Sequence, residues 1–258
     1  MLPRQSVPRP VALGATPRLT PVSKALLATI CFLALLGLGL LARTSFVTRL
    51  DLRVDVKAEG HRSPLETAAA LGVTDTAAEA VGICILLAAV IALVLRRRRW
   101  DAARLFIAVG TAWTLGIAMK LLIDRSRPPA SLWLLRPDSA GSFPSGHDTT
   151  ACVMVVIALV VFRGMPIARV VATVLAVVFA IVVGASRVYL GDHYPTDVLG
   201  SWLTVATAGF FVWAVTDLRP IRRLGSRVLK DPPTAAGGAP ASRGVTPMPR
   251  PGGGGANA

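Results

Sequence analysis

The sequence predicts an all-α, polytopic membrane helix bundle with about six transmembrane helices and both termini cytoplasmic. Three observations carry that expectation. Of the 258 residues, 53% are hydrophobic and only 16% charged, and the mean hydropathy is +0.60; an ordinary soluble domain is far less apolar. Apolar windows approaching the ~20 residues needed to span a bilayer fall at 25–42, 77–95, 103–123, 147–162, 167–185 and 198–215. Finally, 18 of the 28 Lys and Arg lie on the side that holds both termini in a six-span arrangement, and such an excess marks the cytoplasmic side.

Taken in order, residues 1–24 mix Pro with Arg and read as a flexible basic tail. The first window starts only after them and lacks a clear A-x-A exit, so it reads as a retained helix and not as a cleaved signal peptide. Residues 43–76 alternate acids and bases around Leu, Val and Ala, a mixture suited to a short interfacial helix or lid on the outer surface. His61 belongs to this stretch and reads as a solvated loop residue. The second window ends in Arg96 to Arg99, a stop-transfer and orientation signal. The fourth is the shortest and needs the Ser145 to His147 end, running into Arg163, to span. Residues 25–217 form the membrane domain, 218–231 a basic juxtamembrane segment, and 232–258 a Pro/Gly/Ala-rich tail that cannot repay the entropy of ordering.

The net charge of +14 is distributed as anionic lipid headgroups require, in juxtamembrane clusters, and nucleic acid is not an expected partner. Cys31, Cys84 and Cys152 all fall in apolar windows without ligand-like spacing and read as small buried side chains. No H-E-x-x-H run or cysteine quartet is present, so no metal or other cofactor is expected.

Scarce ionisable residues gather where apolar runs end, as functional groups of membrane proteins do. In KLLIDRSRP, from Lys120 to Pro128, Lys120, Asp124 and Arg127 share a face if helicity continues, with Pro128 and Pro129 ending it. In GSFPSGHDTT, Pro144, Ser145 and Gly146 make a turn before the fourth span. Gly146 permits close backbone approach, the free N–H groups of the helix start suit phosphate oxygens, and His147 stands beside them. Ser145 also reads as a plain N-cap. In SRVYLGDHYPTD, Ser186 and Arg187 end the fifth span; His193 and Asp197 share a face if the sixth helix begins at His193. Asp197 can then hold one ring nitrogen's proton and leave the other free as a nucleophile. A six-span topology puts all three clusters on the face opposite the termini, where they surround a phosphate-sized anion with three cations, two imidazoles and one carboxylate.

Together these motifs resemble the type 2 phosphatidic acid phosphatase family, which shares its phosphate pocket with vanadium-dependent haloperoxidases. The family pattern is Lys, six residues, Arg-Pro; then Pro-Ser-Gly-His; then Ser-Arg, five residues, His, three residues, Asp. All three parts are matched in order, within residues 25–217. The resemblance implies an extracytoplasmic, metal-independent lipid phosphatase in which Lys120, Arg127, Ser145, Gly146 and Arg187 bind phosphate. It also implies that His193, oriented by Asp197, is the nucleophile and that His147 handles the leaving-group proton, a division the spacing leaves open. Substrates implied are polyprenyl pyrophosphate, phosphatidylglycerol phosphate, phosphatidic acid or another lipid monophosphate. A lipid phosphotransferase is the alternative enzyme, and a transporter or structural membrane protein the alternative of a different class.

Overall fold

The structure, a computed structural model, describes residues 19–137 and 139–229. The tail at 232–258 and most of the tail at 1–24 lie outside the described residues. Within them the chain is all-α, with nine helices and one 3-10 turn. Helix α1 (Pro21–Ala42) starts ahead of its apolar window because Thr20 Oγ1 accepts from Ser23 N at 3.0 Å and Pro21 occupies the first turn, both ordinary helix-start chemistry. The 43–76 segment is two helices, α2 (Ser45–Glu59) and α3 (Pro64–Thr76), capped by Thr44 and Ser63. Six of the 15 residues of α2 are charged, which keeps it out of hydrocarbon.

There follow α4 (Glu79–Leu95), α5 (Arg99–Ile123), the 3-10 turn Ala130–Leu132, α6 (Gly146–Val161), α7 (Pro166–Tyr189), α8 (Pro195–Thr216) and α9 (Arg219–Val228). Four helices, α1, α5, α7 and α8, are long and apolar enough to cross a membrane; α3 and α4, bent by 47°, make a fifth if they are one span. The fourth window is α6, whose 16 residues extend about 24 Å at ~1.5 Å per residue, short of a ~30 Å hydrocarbon core. Only 17% of the apolar window of α7 is buried within the protein, so its remaining face is left to lipid.

Helix α8 is the central post. It packs along α1, α5 and α6, while α6 also lies against α7. One apolar core joins Leu86, Leu105, Val153, Ile157, Val183 and Val205; a second joins Leu35, Met119, Ile123 and Phe143. Between membrane helices there is little hydrophobic driving force, so close packing carries association. Gly200 shows how close: a Cβ there would stand 2.5 Å from the Phe143 ring.

The end of the bundle holding Lys24 and Arg163 is tied by ions. Asp217 pairs with Lys24 and with Arg104 (3.0 Å), and Asp101 with Arg98 (2.9 Å) and Arg163 (2.8 Å). Arg98 also donates to the Val160 and Val161 carbonyls at 2.6 and 2.9 Å, closing the end of α6. One member of the arginine run is therefore a helix cap. The opposite end gathers the ends of α5 and α7 and the starts of α6 and α8.

Candidate active site

The first motif leaves its helix earlier than its prolines suggest. Helix α5 stops at Ile123, and Asp124 turns left-handed with φ 44°, a conformation Asp tolerates better than most residues. Lys120, Asp124 and Arg127 therefore do not share a helical face. Lys120 and Arg127 meet instead across the loop before α6. Lys120 Nζ donates to Gly141 O at 2.9 Å and reaches Ser139 Oγ at 3.4 Å; Arg127 donates to Ser139 O at 2.7 Å and Ser139 Oγ at 3.1 Å.

The third motif likewise differs from its expected geometry. Helix α7 runs past Ser186 and Arg187 to Tyr189, which leaves Arg187 buried in its last turn. The chain then turns through Gly191, whose φ is 79°; a Cβ there would sit 2.1 Å from Leu132 O, so only glycine fits. Arg62, between α2 and α3, clamps this turn by donating to Tyr189 O at 2.7 Å and Leu132 O at 2.8 Å. Helix α8 begins at Pro195, not at His193. Tyr194 is its N-cap, and Asp197 Oδ2 accepts the Tyr194 backbone N–H at 2.9 Å, the carboxylate half of a capping box. His193 thus meets Asp197 through cap geometry, with Nδ1 3.4 Å from Oδ2.

Arg127 defines the state of that imidazole. Its Nη1 lies 3.1 Å from His193 Nε2. A guanidinium can only donate, so Nε2 is the acceptor and Nδ1 carries the hydrogen toward Asp197. His193 and Asp197 are both buried. Burial pulls the imidazole pKa below its ordinary value; the Asp197 hydrogen bond and the charges of Asp192 and Asp197 oppose this, while Arg127 adds to it. The ring is held neutral with a lone pair on Nε2, as a nitrogen nucleophile requires.

The second motif is fastened to the third. Ser145 caps α6, its hydroxyl accepting from Asp148 N at 3.4 Å. Its own backbone N–H is committed to Asp197 O at 3.3 Å, and Ser201 donates to Ser145 O at 2.9 Å. Of the Ser145–Gly146 backbone pair, this leaves the Gly146 amide, in the first turn of α6, as the donor at the helix start. Gly146, Pro144 and Lys120 border an apolar cleft of about 210 Å³ between α4, α5 and α6, continued by Ile83, Trp113 and Ile117. His147 stands half-buried in the first turn of α6, beside Gly146.

Further residues that the sequence did not single out belong to the same network. Ser142 donates to Asp197 Oδ2. Arg125 donates to Asp197 Oδ1 at 2.6 Å, Thr196 Oγ1 at 2.6 Å and Asp51 Oδ2 at 2.7 Å, with its guanidinium 4.0 Å from the Tyr194 ring centroid. Asp192 accepts from Arg187 and lies 3.5 Å from Arg127. Arg125 and Asp192 stand inside the motifs, so the signal was present; Asp51, on α2, carried none. Among the described residues no group of three or more His, Cys, Asp or Glu is placed to hold a metal ion. Chemically, the site offers cations and a helix-start amide to an oxyanion, beside a buried neutral imidazole backed by a carboxylate.

Known proteins resemble this chain in sequence and fold. Residues 101–220 match the PAP2 superfamily. Phosphatidylglycerophosphatase B of Bacillus subtilis is 32% identical over 175 residues, 66% of this chain and 85% of that protein. The undecaprenyl-diphosphatase BcrC of Bacillus subtilis is 39% identical over 90 residues, 34% of this chain and 42% of its own length. The crystal structure of the transmembrane PAP2-type phosphatidylglycerolphosphate phosphatase from Bacillus subtilis superposes with a TM-score of 0.66 at 30% identity, covering 74% of this chain and 96% of that one. With the fold and the sequence agreeing over that extent, the chain belongs to the PAP2 superfamily and is a multi-pass, membrane-associated lipid phosphatase.

Proposed function

We propose that the protein hydrolyses a polyprenyl pyrophosphate or a related lipid phosphate through a phosphohistidine on His193. The observation that carries this reading is the placement of His193: buried, with Nδ1 toward Asp197 and Nε2 against the donor Arg127, as fits a neutral imidazole with its lone pair on Nε2. Lys120, Arg127, Arg187 and the Gly146 amide take the phosphoryl oxygens, and Ser145 holds that amide in place by capping α6. Their charge offsets what builds on those oxygens in the transition state, and no metal is needed for that role.

His193 Nε2 attacks phosphorus as the bond to the leaving oxygen breaks, and His147 gives its proton to that oxygen. Neutral His147 then takes a proton from water as the water oxygen attacks phosphorus, the N–P bond breaks and inorganic phosphate leaves. Asp197 keeps the His193 ring oriented throughout.

The membrane domain is residues 25–217, crossing six times with both termini cytoplasmic. In this arrangement α6 is the short crossing, and its recessed N-terminus brings the phosphate donors to headgroup depth on the extracytoplasmic side. An apolar cleft at Lys120 and Gly146 suits the chain of a polyprenyl carrier, in keeping with the undecaprenyl-diphosphatase relative. Phosphatidylglycerol phosphate is the second reading, favoured by the relative matched over 175 residues.

The test is phosphate release by the purified protein from a panel of polyprenyl pyrophosphate, phosphatidylglycerol phosphate and phosphatidic acid, with acid-labile labelling by a phosphate-labelled lipid. Turnover and label should both vanish in His193→Asn. Label that survives this substitution removes His193 as the nucleophile, and fastest release from phosphatidylglycerol phosphate selects the second reading.

A further inference from the structure

Asp192 takes no part in the mechanism above, yet it sits against the two arginines that the mechanism uses. Its side chain is wholly buried in the turn between α7 and α8. Oδ2 accepts from Arg187 Nη2 and lies 3.5 Å from Arg127 Nη1, and the Asp192 backbone oxygen accepts from that same Arg127 nitrogen at 2.7 Å. Around this pairing the hydrogen bonding is incomplete: Asp192 Oδ1 and Arg187 Nε and Nη1 are buried with no partner among the described residues. The two Arg187 nitrogens are buried donors facing no acceptor, the kind of group an incoming anion engages.

We infer that Asp192 is the internal counter-anion of the phosphate pocket: its carboxylate holds Arg187 and Arg127 until a lipid phosphate takes over those contacts, so that it sets how firmly substrate and released phosphate are retained. The inference rests on the assignment of both arginines to the phosphate.

Two consequences follow from the geometry. Buried cations left without a counter-charge are unstable, and a pocket of uncompensated cations would also grip the product phosphate and turn over slowly. A carboxylate that competes for the same guanidinium groups lowers anion affinity in the ground state. The second consequence concerns the nucleophile. Arg127 Nη1 lies on His193 Nε2, the attacking nitrogen, and Asp192 holds that Nη1 through both its backbone and its carboxylate. A phosphate that draws Arg127 away from Asp192 also uncovers the Nε2 lone pair. Anion binding and exposure of the nucleophile become one movement.

The experiment uses the full-length protein in detergent, with inorganic phosphate and vanadate as probes. Asp192→Asn keeps the shape of the side chain and removes its charge. Both anions should inhibit at concentrations about tenfold lower, since a charge-assisted contact no longer competes for the arginines. Unchanged or weaker inhibition in a variant that melts normally overturns the inference. Arg187→Gln separates the two levels of argument. If it weakens vanadate binding while Asp192→Asn does not strengthen it, the phosphate assignment stands and Asp192 has no competing role. If it leaves vanadate binding unchanged, the phosphate assignment itself falls. Should Asp192→Asn fold poorly, Asp192→Ser and Asp192→Asn are melted with and without inorganic phosphate. Recovery of the melting temperature by phosphate supports the inference, because the external anion replaces the missing carboxylate; no recovery overturns it.

Discussion

Asp197 receives more of the site's hydrogen bonds than any catalytic group needs. Ser142, the Tyr194 amide and His193 meet its Oδ2, and Arg125 meets its Oδ1. Arg125 touches neither imidazole in these contacts; it acts through Asp197 and is a positioning residue. Removing one partner of a buried ion pair costs about 3–5 kcal/mol, and loss of an outer-shell partner typically lowers activity roughly 10- to 100-fold. Arg125→Gln is therefore expected to lower kcat by about that factor with KM little changed, and Arg125→Lys to recover part of it, since lysine supplies the charge without the fork. Steady-state kinetics alongside thermal melting check this; a loss that appears in KM, or that tracks only the loss of folded protein, counts against a positioning role. The sequence made His193 and Asp197 legible because a motif places them four residues apart. Arg125 and its partner Asp51 stand 74 residues apart, and no local pattern links them.

At the scale of elements, α2 is where the structure adds most. The amphipathic composition of 43–76 pointed to an outer helix or lid, and two helices are found. Their connection to the site was not legible, because it depends on which face of α2 turns inward. Asp51 and Asp55, one turn apart on α2, are both buried. Asp51 pairs with Arg125, while neither oxygen of Asp55 has a partner among the described residues. Burial, then repulsion from Asp51 and Asp197, pushes the Asp55 carboxyl from 3.8 up to about 8, against the pull of Arg125 and Arg62. Between those values the folded chain holds a proton that the unfolded chain gives up, so stability falls as pH rises through this window. Asp55→Asn should therefore melt above the wild type by a margin that widens from about pH 4 to about pH 8 and then levels. Melting curves across that range decide the point, and a margin independent of pH would show that Asp55 carries no charge penalty.

At the scale of the molecule, the bundle separates two kinds of charge. One end uses Asp101 and Asp217 to tie helices together, and the other uses Asp192 and Asp197 to hold arginines and an imidazole. The six crossings proposed above would put these ends on opposite sides of the membrane. With Cys31, Cys84 and Cys152 replaced, a single cysteine at exposed Glu59 should react with an impermeant maleimide on intact cells, and one at exposed Met165 only after permeabilisation. Reaction of both from the same side would rule out α6 as a crossing helix.

Hydropathy and short spacings are local properties of a chain, and they were enough to reveal the class of the molecule, the windows that became its long helices, and the residues of three motifs. Local properties were insufficient where a helix end or a side chain was settled by a distant neighbour. Helix α5 ended before its prolines, α8 began after His193, and α6 proved shorter than a bilayer core is thick. Contacts between distant segments settled that Ser145 gives its amide to Asp197, that Arg125 ties α2 to the same carboxylate, and that Asp192 occupies the arginines beside the nucleophile. Those decisions belong to packing: α7 and α8 bring buried charges together, and once out of water each must take the partner the fold supplies.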